Sequence, residues 1–166
     1  MPRKILVFGN SGSGKSTLAR KLAVTENLAH LDLDNYAWLD TIPPQRAPVQ
    51  ESNARLQEFV RAEETWVIEG CYTDLLELLV CEANEIIFLN LPIETCIENA
   101  RNRPWEPHKY ESRQKQDENL SMLLDWIAQY EKRDDVFSYG AHLTFYNEFP
   151  GKKTMLTDNN ESSNQE

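Results

Sequence analysis

The residues of this chain best equipped for chemistry gather first in "FGNSGSGKST", Phe8 to Thr17. Gly9, Gly14, Lys15 and Ser16 satisfy the pattern G-x-x-x-x-G-K-[ST], with a strand-like run before it and a helix-like run after it. Glycines let the backbone turn until successive N–H groups converge on an anion, and a helix starting near Lys15 adds about half a unit of positive charge there. The expectation is an anion-binding loop of Gly9, Asn10, Ser11, Gly12, Ser13, Gly14, Lys15, Ser16 and Thr17 that grips the phosphates of a nucleotide. Lys15 would reach the β- and γ-phosphates of ATP as a point charge, and the Ser16 hydroxyl would complete the shell of a Mg²⁺ that keeps several waters. A glycine turn that binds nothing would need neither the lysine nor the hydroxyl pair Ser16 and Thr17.

Carboxylates and arginines further along extend this chemistry. Asp32 and Asp34 lie two apart at the end of a strand-like run, so an extended backbone turns both to the same side, where they can serve one site. A carboxylate there can orient a hydroxyl nucleophile and accept its proton. The competing explanation is a solvated strand end capped by aspartates. Glu69 ends the run "TWVIE", immediately before Gly70. Arg101 and Arg103 stand where a helical pattern meets the proline-broken stretch "RPWEPHKYES", and Arg113 follows it. Arginines delivered by a closing lid stabilise the charge that spreads over a migrating phosphoryl group, by ~10³–10⁵ in rate where they act as fingers. Closure also excludes water. A helix C-terminus favours arginine in any case, which is the plainer explanation for Arg101 and Arg103. Tyr36, Trp38 and Tyr72 are candidates for the wall of an acceptor pocket and, equally, for the core. His30, His108 and His142 have no ligand spacing and read as surface or satisfied core residues.

The elements that must position these groups alternate. Strands are expected at Lys4–Phe8, Ala29–Leu33, Thr65–Ile68, Glu85–Leu91 and Lys152–Thr157. Helical spacing falls within Lys15–Val24, Val49–Glu64, Asp74–Cys81, Ile93–Arg103, Gln114–Arg133 and Ser138–Phe149. Parallel neighbours need crossover connections, so the alternation calls for an α/β fold with a parallel sheet covered on both faces. Residues 1–157 form one domain on this view, with a lid at about 103–115, and the polar 158–166 is expected to be a frayed tail.

Composition narrows the class further. Of 166 residues 40% are hydrophobic and 27% charged, an ordinary globular balance with no run approaching the length of a membrane span. Three cysteines without a C-x-x-C pair suggest buried free thiols in a reducing compartment, hence a cytoplasmic protein. A net charge of −10 argues against direct nucleic-acid binding and against an anionic membrane as partner.

Five stretches, "GNSGSGKST", "HLDLDNYAW", "WVIEGCY", "IIFLNLP" and "ARNRPW", together resemble the small P-loop kinases of the adenylate kinase, shikimate kinase and gluconate kinase group. Within that group the chain is most similar to kinases described as DNA topology modulation proteins or AAA-family ATPases. The resemblance implies a three-layer P-loop fold with a five-stranded parallel sheet in the order 2-3-1-4-5 and a short lid. It implies ATP and Mg²⁺, with Asp32 on the metal side, Asp34 on the acceptor side, Glu69 holding a metal-bound water, and Gly70 and Tyr72 beside the acceptor. Glu69 departs from the aspartate usual there, and "GCYTD" lacks the acceptor arginine of adenylate kinases.

The expected activity is transfer of a phosphoryl group from Mg-ATP to a small acceptor, a hydroxyl before a phosphate, with Lys15, Asp34, Arg101 and Arg103 as its catalytic residues. A regulatory ATPase linked to DNA topology is the alternative from another class. A nucleoside or nucleoside-monophosphate kinase is a third reading, with Arg46, Arg55 or Arg61 replacing the missing arginine. Monomer and homodimer are both compatible with these residues. Lys15→Ala should abolish ATP binding and leave the fold intact. Titration of the variant with a fluorescent ATP analogue checks this, and parental affinity would refute the assignment.

Overall fold

A computed structural model describes residues 2–160 of the chain. Five strands, β1 (Lys4–Gly9), β2 (Ala29–Asp32), β3 (Trp66–Glu69), β4 (Glu85–Leu89) and β5 (Lys152–Leu156), form one sheet in the order β2-β3-β1-β4-β5. Every pairing is parallel. Six helices provide the crossovers: α1 (Lys15–Thr25), α2 (Val49–Ala62), α3 (Thr73–Glu77), α4 (Ile93–Arg101), α5 (Arg113–Ala128) and α6 (Tyr139–Glu148). The expected three-layer α/β fold and strand order are therefore present.

Two cores flank the sheet. Because side chains alternate along a strand, Leu6 and Phe8 of β1 go to one face with Ile68, Leu75 and Phe145, while Ile5 and Val7 go to the other with Val67, Leu18 and Cys96. Central strands β1, β3 and β4 are buried almost throughout, which is why they read as continuous apolar runs. Phe8 and Phe88 stack with centroids 4.9 Å apart, and Phe145 meets Phe8 edge-on at 5.1 Å.

Several elements are shorter than periodicity suggests. β2 stops at Asp32, and Leu33–Asn35 forms a 3₁₀ turn whose first N–H groups include that of Asp34, which donates to Asp32 Oδ1 at 2.9 Å. The aspartate cap ends the strand before Asp34. Helix α3 ends at Glu77 and passes into turns, and α5 ends at Ala128 rather than Arg133. The expected tail is ordered at its beginning: a helical turn includes Asn159, whose amide donates to Ser13 O at 3.0 Å. The rest of that tail, 161–166, lies outside the described residues. Cys96 is buried, but Cys71 is only half-buried and Cys81 is exposed, so the expectation of three buried thiols fails at Cys81. Among the described residues no helix is long and apolar enough to cross a membrane.

His142, on α6, is completely buried against Phe8 and Phe88. Its Nδ1 meets the Tyr130 hydroxyl at 2.5 Å and its Nε2 meets Cys71 O at 2.8 Å. A carbonyl only accepts, so Nε2 carries the proton, Nδ1 accepts from Tyr130, and the ring is neutral. It ties α6 to the backbone just after β3. Burial pushes the imidazole down to about 4, against the pull of the Cys71 carbonyl. A histidine of the unfolded chain titrates near 6.5, so the unfolded state binds the extra proton first as pH falls. This contribution is complete above pH 6.5 and fades towards pH 4, a loss of roughly 3 kcal/mol. Urea unfolding measured between pH 7 and pH 4 should show that decline, and His142→Gln should flatten it; an unchanged profile in the variant would place the titration elsewhere.

Candidate active site

Helix α1 begins at Lys15 with Gly14 as its N-cap, and neither a capping side chain nor an acidic residue occupies its first turn. Its leading N–H groups are therefore available to an anion. Gly12, at φ +79°, lies so close to α4 that a Cβ there would fall 2.3 Å from Cys96 O. Only glycine fits. Lys15 Nζ donates to Asn10 O at 2.8 Å, holding the ammonium across the loop. From outside, Asn99 donates to Gly12 O at 2.8 Å and to Asn159 Oδ1 at 2.9 Å, so the loop is fastened from α4 and from the segment after β5.

This loop forms one end of a cavity of about 770 Å³. Such a volume falls within the ~300–1,000 Å³ usual for small-molecule sites. Its walls include Gly12, Gly14, Lys15 and Ser16 of the loop and α1, Asp32, Asp34, Glu69 and Gly70 from the ends of β2 and β3, and Arg103 to Tyr110. The carboxyl ends of β2 and β3 bring the acidic residues together, because Asp32 and Glu69 are register partners in adjacent parallel strands.

Glu69 is almost fully buried, and both of its oxygens are engaged. The Ser16 hydroxyl donates to Oε1 and His30 Nε2 meets Oε2 at 2.5 Å. Asp34 is engaged twice as well: the Tyr72 hydroxyl donates to Oδ1 at 2.5 Å, and Lys109 Nζ donates to Oδ2 at 3.1 Å. Trp38 Nε1 in turn donates to the Tyr72 hydroxyl at 2.9 Å. Burial alone would raise the Asp34 carboxyl, but Lys109, the Tyr72 hydroxyl and Lys15 outweigh it and hold the group below its ordinary range. Asp32 goes the other way, raised by burial and by the charges of Asp34 and Glu69. Lys109 is held above its ordinary value because Asp34, Glu106 and Asp32 outweigh its burial. Two neighbouring carboxylates are thus shifted in opposite directions, a division suited to different tasks.

The structure separates the expected site residues into two sets. Lys15, Ser16, Asp32, Asp34, Glu69, Gly70 and Arg103 line the cavity. Asp34 arrives there by the 3₁₀ turn rather than by strand alternation. Arg101 and Arg113 do not line it; both are exposed and face Glu98 and Asp117 at 4.0 Å. The buried side of α4 runs through Cys96 and Ala100, so Arg101 turns outward. Arg103 is paired with Glu106 at 3.2 Å. Tyr36 lies under Arg55, 4.3 Å from its guanidinium, in a separate shallow hollow. Trp38 and Tyr72 act behind Asp34 rather than on the cavity wall.

Sequence reasoning misses two residues. Lys109 stands in "EPHKY", within the same proline-broken stretch that follows Arg103. His30 has no ligand spacing, yet its i, i+2 relation to Asp32 on β2 assigns it to the same face.

The donor set fits the groups that a phosphate loop implies. Ser16 and Glu69 offer hard oxygen donors in direct contact, as Mg²⁺ prefers. Among the described residues no group of three or more His, Cys, Asp or Glu side chains could hold a metal by itself. A magnesium ion here would rely on phosphate oxygens and water for the rest of its shell.

The sequence pattern of the AAA domain family matches residues 5–144. The Bacillus subtilis (strain 168) protein YqaC, itself uncharacterized, is 28% identical over 133 residues, 79% of this chain and 74% of its own. A shikimate kinase from Acinetobacter baumannii, solved in complex with shikimate, superposes with a TM-score of 0.57 at 15% identity, covering 99% of this chain and 90% of that one. A gluconokinase from Sinorhizobium meliloti 1021 gives a TM-score of 0.54 at 16% identity, over 93% and 81% of the two chains. At such identities the likeness is one of fold, a kinase-like P-loop architecture. With its phosphate loop, its strand order and the family pattern agreeing over most of its length, the chain belongs to the AAA domain family of P-loop proteins.

Proposed function

We propose that this protein is a cytoplasmic phosphotransferase that moves the γ-phosphoryl group of Mg-ATP to a hydroxyl of a small molecule. The observation that carries the proposal is the presence of Asp34 in the same cavity as Lys15 and the phosphate loop. A protein that only binds or hydrolyses a nucleotide needs no such second carboxylate. The acceptor hydroxyl would take the place of Lys109 at Asp34 Oδ2 and give up its proton there as its oxygen attacks the γ-phosphorus and ADP leaves. Tyr72, fixed by Trp38, keeps the carboxylate aimed during that exchange. Bound Mg²⁺ would neutralise charge developing on the phosphates, with Ser16 and the carboxylates of Asp32 and Glu69 as its protein side, directly or through water. Lys109, once released from Asp34, and Arg103 are the cations of the 102–112 segment within the cavity wall.

Cation placement favours an uncharged acceptor. Lys109, even when displaced from Asp34, keeps Glu106 beside it, and Arg103 is paired with the same glutamate. Arg46 is bound to Asp74 at 3.0 Å and lies over the Tyr72 ring at 4.9 Å, away from the cavity wall. None of these resembles a ready phosphate or carboxylate clamp, which weakens the nucleoside-monophosphate reading. The net charge of −10 weakens the DNA-linked one.

Release of ADP, followed over a panel of hydroxyl metabolites, nucleosides and nucleoside monophosphates, should rise with one class of neutral acceptor. Asp34→Asn should lower that turnover by ~10²–10⁴, the usual share of a general base, with ATP affinity near the parental value. Equal losses in turnover and affinity would argue against the role. A flat panel over slow, acceptor-independent hydrolysis would favour a regulatory ATPase instead.

A further inference from the structure

His30 lies outside the phosphate loop and outside the acceptor side of the cavity, yet it makes one of the shortest polar contacts in the site. On β2 it is two residues before Asp32, so both side chains leave the same face of the sheet. Its register partner on β3 is Val67, two residues before Glu69, which places His30 diagonally behind the Glu69 carboxylate. Helix α1 packs on this face through Leu18, Ala19 and Leu22 against Val67. Ser16, in the first turn of that helix, therefore meets Glu69 from the other side. The order across the face is His30, Glu69, Ser16, with the carboxylate between two hydrogen-bond partners.

Glu69 needs this support for two reasons. A glutamate side chain turns about three bonds, so fixing its carboxylate costs conformational freedom. Its neighbour Asp32 is a second carboxylate across the register, and mutual repulsion favours turning the longer side chain away. A carboxylate can only accept, so the imidazole donates through Nε2–H, and this bond resists such a turn.

We infer that His30 is a positioning residue that holds the Glu69 carboxylate against Ser16, the pair that would hold the magnesium of a bound nucleotide. The inference rests on the cavity being a Mg-nucleotide site. Groups behind the first ligands commonly set metal affinity in this way, and their loss weakens it by ~10–100-fold.

Binding of a fluorescent ATP analogue, titrated with Mg²⁺ and repeated in EDTA, separates this role from a purely structural one. Three variants serve. His30→Phe and His30→Leu fill space without donating, and His30→Gln restores an N–H at similar reach. The parent should bind the analogue more tightly with Mg²⁺ than in EDTA. His30→Phe and His30→Leu should raise the Mg²⁺ concentration at half-effect by roughly 10-fold or more. Their affinity in EDTA should be parental, and His30→Gln should regain most of the loss. The partly exposed edge position of His30 favours folding of all three, which thermal melts would check. Equal losses with and without Mg²⁺, or a His30→Gln variant as impaired as His30→Phe, would overturn the role. So would unchanged Mg²⁺ dependence in either non-donor variant that folds. A parent that binds the analogue equally well in EDTA would remove the Mg-nucleotide reading, and the role of His30 with it.

Discussion

Parallel strands must be joined by crossovers, and the direction in which those crossovers leave β1 governs everything at the carboxyl edge of this sheet. The chain leaves β1 for β2, returns through β3 to pair beside β1, and only then crosses to β4 and β5 on the other side. Open α/β sheets form their ligand crevice beyond the strand ends where the order reverses in this manner. The loop after β1 sits at that reversal. It therefore has the start of α1 below it, the ends of β2 and β3 on one flank and α4 on the other. Gly12 against Cys96 O shows how little room is left there for anything but backbone.

Acidity is distributed across the crevice with some economy. Glu69 is buried but shared between Ser16 and His30, while Asp34 is balanced by Lys109 and Tyr72. Asp32 makes no ion pair among the described residues, and burial with the charges of Asp34 and Glu69 raises it against the pull of Lys109. The contact of Lys109 with Asp34 also joins the 102–112 segment to the floor of the cavity, reinforced within the segment by Glu106, which faces Arg103, His108 and Lys109. Any ligand that approaches Asp34 must compete with an ion pair rather than fill an idle space. Behind this surface, His142 and Tyr130 hold the Cys71 carbonyl, so the backbone leaving β3 is fixed from the core.

Much of the fold was legible because its signals are local. Continuous apolar runs identified the buried strands, and the glycine loop between β1 and α1 is a pattern with few structural alternatives. Element ends were harder. Asp32 carries both the end of β2 and the cap of the following 3₁₀ turn, and a carboxylate that bonds the backbone two residues on is invisible to strand alternation. Asn159 looked like tail because its composition is polar; its partners, Ser13 and Asn99, are remote in sequence.

Spacing along the chain is enough to establish the phosphate loop, the α/β alternation and the identity of the carboxylates at the strand ends. These depend on spacing along one backbone, over distances that a single strand or turn controls. Tertiary structure alone decided which basic residue meets Asp34, that Arg101 and Arg113 face solvent, and that His30 stands behind Glu69. Each of those outcomes depends on the rotation of a helix about its axis or on the register between two strands. Packing against the rest of the core sets both quantities, and no short window of sequence contains them.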